Sequence, residues 1–172
     1  MQVGVVGLGK MGAGIARRLC RADIHAVGHD LGAGALEALA GEPGFEAAWS
    51  VDGLLLALKA PRIVWCMLPS GEATQGLLDE LHAKLAPGDR VVDGANGHYR
   101  DAMANAARFE AAGIGFADAG VSGGVWGLEN GYALMLGGAA EDVAARWGAP
   151  PAPSPRSPAS GCTAAPRAPA TS

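Results

Sequence analysis

The chain has 172 residues, 49% hydrophobic and 17% charged, so it can bury a core and is not disordered throughout. That length suits one domain and leaves little room for a second. A net charge of −4 argues against an electrostatic nucleic-acid binder, and no apolar run reaches the roughly 18 residues of a membrane span. With 27 glycines and only 5% aromatics, backbone-shaped loops are expected rather than aromatic stacking surfaces. The opening MQVGVVGLGK has no basic leader and no small-residue cleavage site, so it does not read as a signal peptide. Cys20, Cys66 and Cys162 are an odd number without pairing or metal spacing. They read as free thiols in a reducing cytoplasm, and no metal is expected.

In chain order, residues 2–6 (QVGVV) read as a short apolar strand. Residues 10–21 follow as a helix, with Met11, Ile15 and Leu19 at helical spacing and Arg17, Arg18 and Arg21 late in it. Residues 25–30 (HAVGHD) are a second strand ending in an acid. Helices are expected at 33–40 and 51–59, and a buried strand at 62–67. The next helix, 72–86, is stopped by Pro87-Gly88. A strand at 90–93, a helix at 99–112 and a strand at 114–118 complete the next unit. A last strand at 132–136 precedes a helix at 140–147. Strands separated by helices imply an α/β fold, a Rossmann-like, doubly wound, mostly parallel sheet over residues 1–147. Residues 148–172 hold seven of the 11 prolines and no Leu, Ile, Val, Phe or Met. They read as a disordered Pro/Ala-rich tail.

The sharpest local signal is Gly7-Leu8-Gly9-Lys10-Met11-Gly12. A lone G-x-G-x-x-G is a weak pattern, but this one leaves an apolar strand and opens a helix, as a dinucleotide turn requires. Gly7 permits the tight turn, Gly9 lets the backbone approach a pyrophosphate, and Gly12 lets helix and strand pack closely. The helix start then presents free N–H groups to the phosphates. The bland alternative is a strand-to-helix turn with no ligand.

Asp30 follows Gly7 by 23 residues and ends the second strand. An acid about 20 residues on hydrogen-bonds the ribose hydroxyls of NAD. A carboxylate there repels the extra phosphate of NADP, and Leu31, Gly32 and Ala33 offer no Arg to hold one, so NAD is the expected cofactor and NADP the lesser one. The alternative for Asp30 is a helix N-cap. His29 reads as a partly exposed strand residue.

Three further stretches end strands, where ligands sit in open sheets. Met67-Leu68-Pro69-Ser70-Gly71 would shape a loop on the nicotinamide side. Asp93 to Tyr99 (DGANGHY) and Val121 to Gly131 (VSGGVWGLENG) combine small residues with a few hydrogen-bonding groups, as a polyhydroxylated anion would need. Bland readings remain beside these. Asn96 and Ser122 serve equally to stabilise local turns, and Trp126 reads evenly as core packing or a substrate wall. His98 reads as structural, Glu129 as a surface carboxylate and Cys66 as an inert buried thiol.

In the order GLGKMG, HD, MLPSG, DGANGHY, SGGVWGLENGY and LMLGG, the chain resembles the 6-phosphogluconate dehydrogenase family, in particular its shorter, NAD-preferring branch. The resemblance covers residue 1 to about 147. It implies nucleotide contacts at Gly7, Leu8, Gly9, Lys10, Met11, Gly12 and Asp30, and along Met67, Leu68, Pro69 and Ser70. It implies a cofactor or substrate contact at Asn96 and substrate contacts at Ser122, Gly123 and Gly124. The usual pattern after Asp93 is nearer GGNSHY, so Ala95 and Gly97 depart from it, and a lost hydroxyl at 97 would weaken one hydrogen bond. The implied reaction is NAD(P)-dependent oxidative decarboxylation of 6-phosphogluconate to ribulose 5-phosphate. In the family, the base is a Lys and the acid a Glu on a later helix. Lys10, Lys59 and Lys84 are the only lysines here and none fits that role, so no catalytic residue is assigned in this chain. The expectation is therefore a truncated cofactor-binding domain, inactive alone, lacking the helical domain through which the family largely dimerises.

One GC-rich back-translation of residues 161–172, regrouped by one base, encodes a His-Cys-Gly-Pro segment like the one that precedes the family's catalytic helix. The tail is thus expected to be the next segment read out of frame, against the alternative of a natural Pro/Ala-rich linker. Two other functions stay open. One is a β-hydroxyacid dehydrogenase of the 3-hydroxyisobutyrate type, which would show Asp-x-Ser-Thr in place of DGANGHY and a GAxxGTL-like run in place of VWGLENGY. The other is a dinucleotide-binding module without catalysis. No nucleic-acid or membrane partner is expected.

Overall fold

The structure is a computed structural model, and it describes residues 1–137. The expected helix at 140–147, the boundary at 147, and the tail with its reading frame lie outside the described residues.

Seven strands form one sheet in the order β3-β2-β1-β4-β5-β6-β7. The strands are β1 Gln2–Val6, β2 His25–His29, β3 Phe45–Ala48, β4 Ile63–Cys66, β5 Arg90–Asp93, β6 Gly115–Ser122 and β7 Ala133–Gly137. β1 to β6 run parallel and β7 runs antiparallel to β6. The helices are α1 Lys10–Arg21, α2 Ala33–Glu37, α3 Val51–Ala57, α4 Glu72–Lys84, α5 Tyr99–Ala111 and α6 Gly127–Asn130, with a 3-10 turn at Gly124–Trp126. This is the Rossmann-like, doubly wound sheet that the alternation of strands and helices predicts.

The central strands β1 and β2 are buried along most of their length because helices cover both faces. Between the sheet and α1 and α2 pack Val3, Val5, Leu8, Ala16, Leu36 and Leu39. Between the sheet and α3, α4 and α5 pack Val27, Leu54, Leu78, Leu81, Phe109 and Phe116. Each such leucine contributes about 1.5–3 kcal/mol of burial. At the amino-terminal edge, Asp89 ties two strands. Its carboxylate accepts the Arg62 N–H at 2.6 Å, the Arg62 guanidinium at 3.1 Å and the Ala86 N–H at 3.0 Å.

Several elements differ from the expectation. β3 was not anticipated: Phe45–Ala48 has no β-branched residue and only four positions, and its pairing with β2 makes it a strand. β6 runs four residues past 118 because β7 folds back beside it, with Asp118 opposite Gly137 and Ser122 opposite Ala133. The loop expected at 121–131 is thus partly strand, partly 3-10 turn and partly the short α6. α2, α3 and α4 stop two or three residues early, which leaves Lys59 beyond α3. No helix among the described residues is long and apolar enough to cross a membrane.

The chain winds from β1 toward β3 on one side and from β4 toward β6 on the other. The carboxyl ends of β1 and β4 therefore flank the point where the winding reverses, and the connecting loops diverge there to leave a crevice.

Candidate functional site

The first loop into that crevice is the glycine turn. Gly7 has φ of +88°, a left-handed value that favours glycine, and a Cβ there would stand 2.5 Å from the carbonyl oxygen of Met67. Gly7 N–H donates to the carbonyl of His29, and Met67 N–H to that of Val6, so β2, β1 and β4 meet at the turn. A Cβ on Gly12 would overlap the Gly7 carbonyl, so α1 lies against the turn at a distance only glycine allows. A Cβ on Gly9 would meet nothing within 4 Å. The backbone there faces open space at the start of a 12-residue helix with no side-chain cap and no acid in its first turn. A tight turn, an open Gly9 and uncapped N–H groups fit the pyrophosphate of a dinucleotide.

Asp30 is built into the same unit. One carboxylate oxygen accepts the Leu8 N–H at 2.7 Å and the other accepts the Gly32 N–H at 2.8 Å. Each oxygen keeps a lone pair for a further donor. The N-cap of α2 is Gly32, so Asp30 is not that cap.

Gly7, Gly9, Lys10, Met11, Gly12, Asp30, Met67, Leu68 and Pro69 line one cleft of about 740 Å³. Val51, Ala73 and Leu77 form its apolar wall. Leu8 differs from the others: its side chain is core, and it serves the cleft through its backbone N–H to Asp30. Sequence reasoning missed the α3 and α4 wall, whose residues resemble any other core positions. It also misplaced His29, which is 7% exposed rather than half-open because β3, the strand not foreseen, covers it. Its Nδ1 stands 2.9 Å from the Ala48 carbonyl.

Ser70 opens a second, polar cleft of about 460 Å³ with Gln75, Asp93, Ala95, Gly97 and His98. Asn96 stands exposed between two of these residues at φ of +56°, a conformation asparagine tolerates. His98, read as structural, caps α5, its Nδ1 accepting the Arg100 N–H at 3.2 Å. Asp93 accepts the Ala95 N–H at 3.0 Å and so shapes this loop. Asp93 and Asp118 are register partners on adjacent strands. Burial raises both carboxyl pKa values, and the charge of Asp93 adds to the rise at Asp118. Burial, and then Asp93, push the Cys66 thiol far above the ordinary thiol value, so it is inert.

Ser122 ends β6 and is exposed. Gly123 and Gly127 leave room for the Tyr132 ring, and Gly14 on α1 leaves room for its hydroxyl. Tyr132 therefore pins the 123–131 segment against α1, an anchor that a lone tyrosine in the sequence did not signal. Arg18 adds a hydrogen bond to the Leu128 carbonyl at 3.0 Å, and Arg21 pairs with Glu129 at 3.7 Å. Gly124 shares a depression with Leu8, Gly9 and Lys10. Trp126 is 71% exposed and is not core. Nine of the residues expected to contact the nucleotide thus line one cleft, Ser70 lines the second, and Gly124, expected to contact the substrate, lines the third. Among the described residues, no group of three His, Cys, Asp or Glu side chains is placed to hold a metal ion.

Residues 2–146 match the family described as the NAD binding domain of 6-phosphogluconate dehydrogenase. The chain is 41% identical over 138 residues to the NAD(+)-dependent, decarboxylating 6-phosphogluconate dehydrogenase of Haloferax volcanii, covering 80% of this chain and 45% of that one. It is 33% identical to a putative 6-phosphogluconate dehydrogenase of Bacillus subtilis, covering 46% of it. The chain thus spans about half the length of these two relatives. Among solved structures, 3-hydroxyisobutyrate dehydrogenase from Mycobacterium tuberculosis superposes with a TM-score of 0.70 at 28% identity, covering 80% of this chain and 46% of that one. Plasmodium falciparum 6-phosphogluconate dehydrogenase, described with its cofactor NADP+, superposes at 0.77, covering 86% and 33%; at 21% identity it shows the fold alone.

Proposed function

The chain belongs to the family of the NAD binding domain of 6-phosphogluconate dehydrogenase, and from that premise we propose that it is the NAD-binding part of an enzyme that oxidatively decarboxylates 6-phosphogluconate. One observation carries the reading. Asp30 and the glycine turn are a single hydrogen-bonded unit at the mouth of the cleft, where a ribose and a pyrophosphate must lie side by side.

NAD, when bound, supplies the hydride acceptor. The chain's own residues bind and orient. The N–H groups at the start of α1 face the pyrophosphate, and Lys10 adds a positive charge beside them. Asp30 accepts from the adenosine ribose hydroxyls and disfavours a 2′-phosphate, which gives the preference for NAD over NADP. Met67 to Ser70 line the nicotinamide side. Asn96 and Ser122 to Gly124 offer donors and acceptors to the substrate, a polyhydroxylated phosphate ester. No side chain of this chain is assigned to move the proton. Of the three lysines, Lys10 lies at the phosphate turn and Lys84 is bound to Asp52 and Glu80 at 2.7 and 2.6 Å. Lys59 stands beyond α3, on the opposite edge of the sheet from the cleft. Little or no turnover is therefore expected from this chain alone. Assaying purified protein with 6-phosphogluconate and NAD tests this, and robust decarboxylation overturns it.

The similarity to 3-hydroxyisobutyrate dehydrogenases supports a second reading, a β-hydroxyacid dehydrogenase domain. The DGANGHY and VWGLENGY segments favour the phosphogluconate reading. Saturation transfer NMR with the two acids, in the presence of NAD, separates the two.

A further inference from the structure

We propose that His29 reads the base of the bound dinucleotide: its Nε2 accepts a hydrogen bond from the exocyclic amine of adenine, so the cleft prefers adenine to a base carrying a carbonyl at that position. The inference rests on the dinucleotide reading of the cleft and adds a specificity residue to it.

His29 is buried, yet it is among the residues that line the cleft. Its Nδ1 lies 2.9 Å from the Ala48 carbonyl. A carbonyl can only accept, so Nδ1 carries the hydrogen, and in the neutral ring Nε2 is an acceptor. Among the described residues Nε2 has no hydrogen-bond partner. Nor is it one of the sealed, unpartnered atoms, which are Trp65 Nε1 and the Nε and Nη2 of Arg108. A buried ring on a cleft wall whose second nitrogen is neither bonded nor sealed presents that nitrogen to the cleft.

The surroundings point to the base rather than the sugar. His29 is the last residue of β2 and Asp30 the first beyond it, and their side chains bond on different sides. Asp30 turns toward the glycine turn and takes the Leu8 N–H. His29 turns toward β3 and the apolar wall of Val51 and Leu77, where a planar base would be buried. Of the donors adenosine offers, the hydroxyls fall to Asp30 and the amine to His29. The cleft's charged groups are Lys10, Asp30 and Glu80, and Glu80 is held by Lys84.

Titration calorimetry of the full chain, with NAD and with nicotinamide hypoxanthine dinucleotide, tests this. NAD is expected to bind about five- to tenfold tighter, the change that loss of one hydrogen bond brings. His29→Asn keeps an amide N–H near Nδ1 for the Ala48 carbonyl and removes Nε2. It should bring the two ligands to equal affinity while the protein stays folded by circular dichroism. Equal affinities in the unaltered protein overturn the proposal, whatever the variant does. So does a preference that survives in folded His29→Asn, or one abolished by Glu80→Gln instead. Failure of the folded, unaltered chain to bind either dinucleotide overturns the cofactor reading as well, and is distinct from equal binding.

Discussion

Replacing Gly12 by alanine places a methyl group where the structure has none to spare. The new Cβ would overlap the Gly7 carbonyl oxygen and lie 2.9 Å from the Gly7 carbon, inside the 3.0 Å that real Cβ atoms respect. Both obstacles are backbone, so no side-chain rotation relieves them. Either α1 retreats by on the order of an ångström or the turn opens, at a cost of about 1–3 kcal/mol for forced overpacking, against about 1 kcal/mol gained in helix propensity. Because α1 and the turn carry the N–H groups that face the pyrophosphate, the same shift should weaken NAD binding at least tenfold. Gly76 is the internal control. It is exposed in the middle of α4, and a Cβ there meets nothing within 4 Å. Gly76→Ala should therefore stabilise by about 0.5–1 kcal/mol and leave NAD affinity unchanged. Thermal unfolding reads these as a lower melting temperature for Gly12→Ala and a rise of about 1–4 °C for Gly76→Ala. Calorimetry reads the binding. A Gly12→Ala protein with unchanged melting temperature and NAD affinity refutes the reasoning.

Asp30→Ala removes the acceptor for two backbone N–H groups. It should weaken NAD about tenfold or more and bring NADP toward equal affinity, as competitive titration would reveal. Asp89→Ala leaves three donors without their carboxylate, and should lower stability by about 3–5 kcal/mol in urea unfolding, with NAD affinity at low temperature unchanged because Asp89 lies at the opposite edge of the sheet. Asp118 has a folded-state pKa raised above its ordinary 3.8, so the stability it adds is complete below that value and is lost as pH rises through the folded value. Asp118→Asn should accordingly raise the melting temperature at pH 7 more than at pH 4; an equal change at both would contradict the raised carboxyl. Cys66 should resist thiol reagents until the protein unfolds, whereas half-buried Cys20 reacts before it, as peptide mapping after timed alkylation would show.

Much of this architecture was legible from periodicity. Six strands and five helices follow from apolar runs punctuated by Gly and Pro, because each buries one face or two. β3 escaped because FEAA is made a strand by its neighbour rather than by its own composition. The same omission misplaced His29, whose burial depends on β3. The extension of β6 was invisible for a similar reason, since Ala119 to Ser122 are held by antiparallel pairing with β7. At the site, the glycine turn and Asp30 were readable because only particular residue types satisfy that backbone geometry. The wall of Val51 and Leu77 was not, since a leucine lining a ligand cleft and a leucine in a core look alike in one sequence. Tyr132 becomes an anchor only through glycines at 14, 123 and 127, separated in the chain and gathered by the fold.

The central claim is that the glycine turn and Asp30 seat a dinucleotide. Calorimetric titration of the folded chain with NAD measures it directly. The account predicts a saturable heat at one site per chain that is strongly reduced in Gly12→Ala and in Asp30→Ala. No heat at saturating NAD from a well-folded sample, or the same heat from all three proteins, would contradict it.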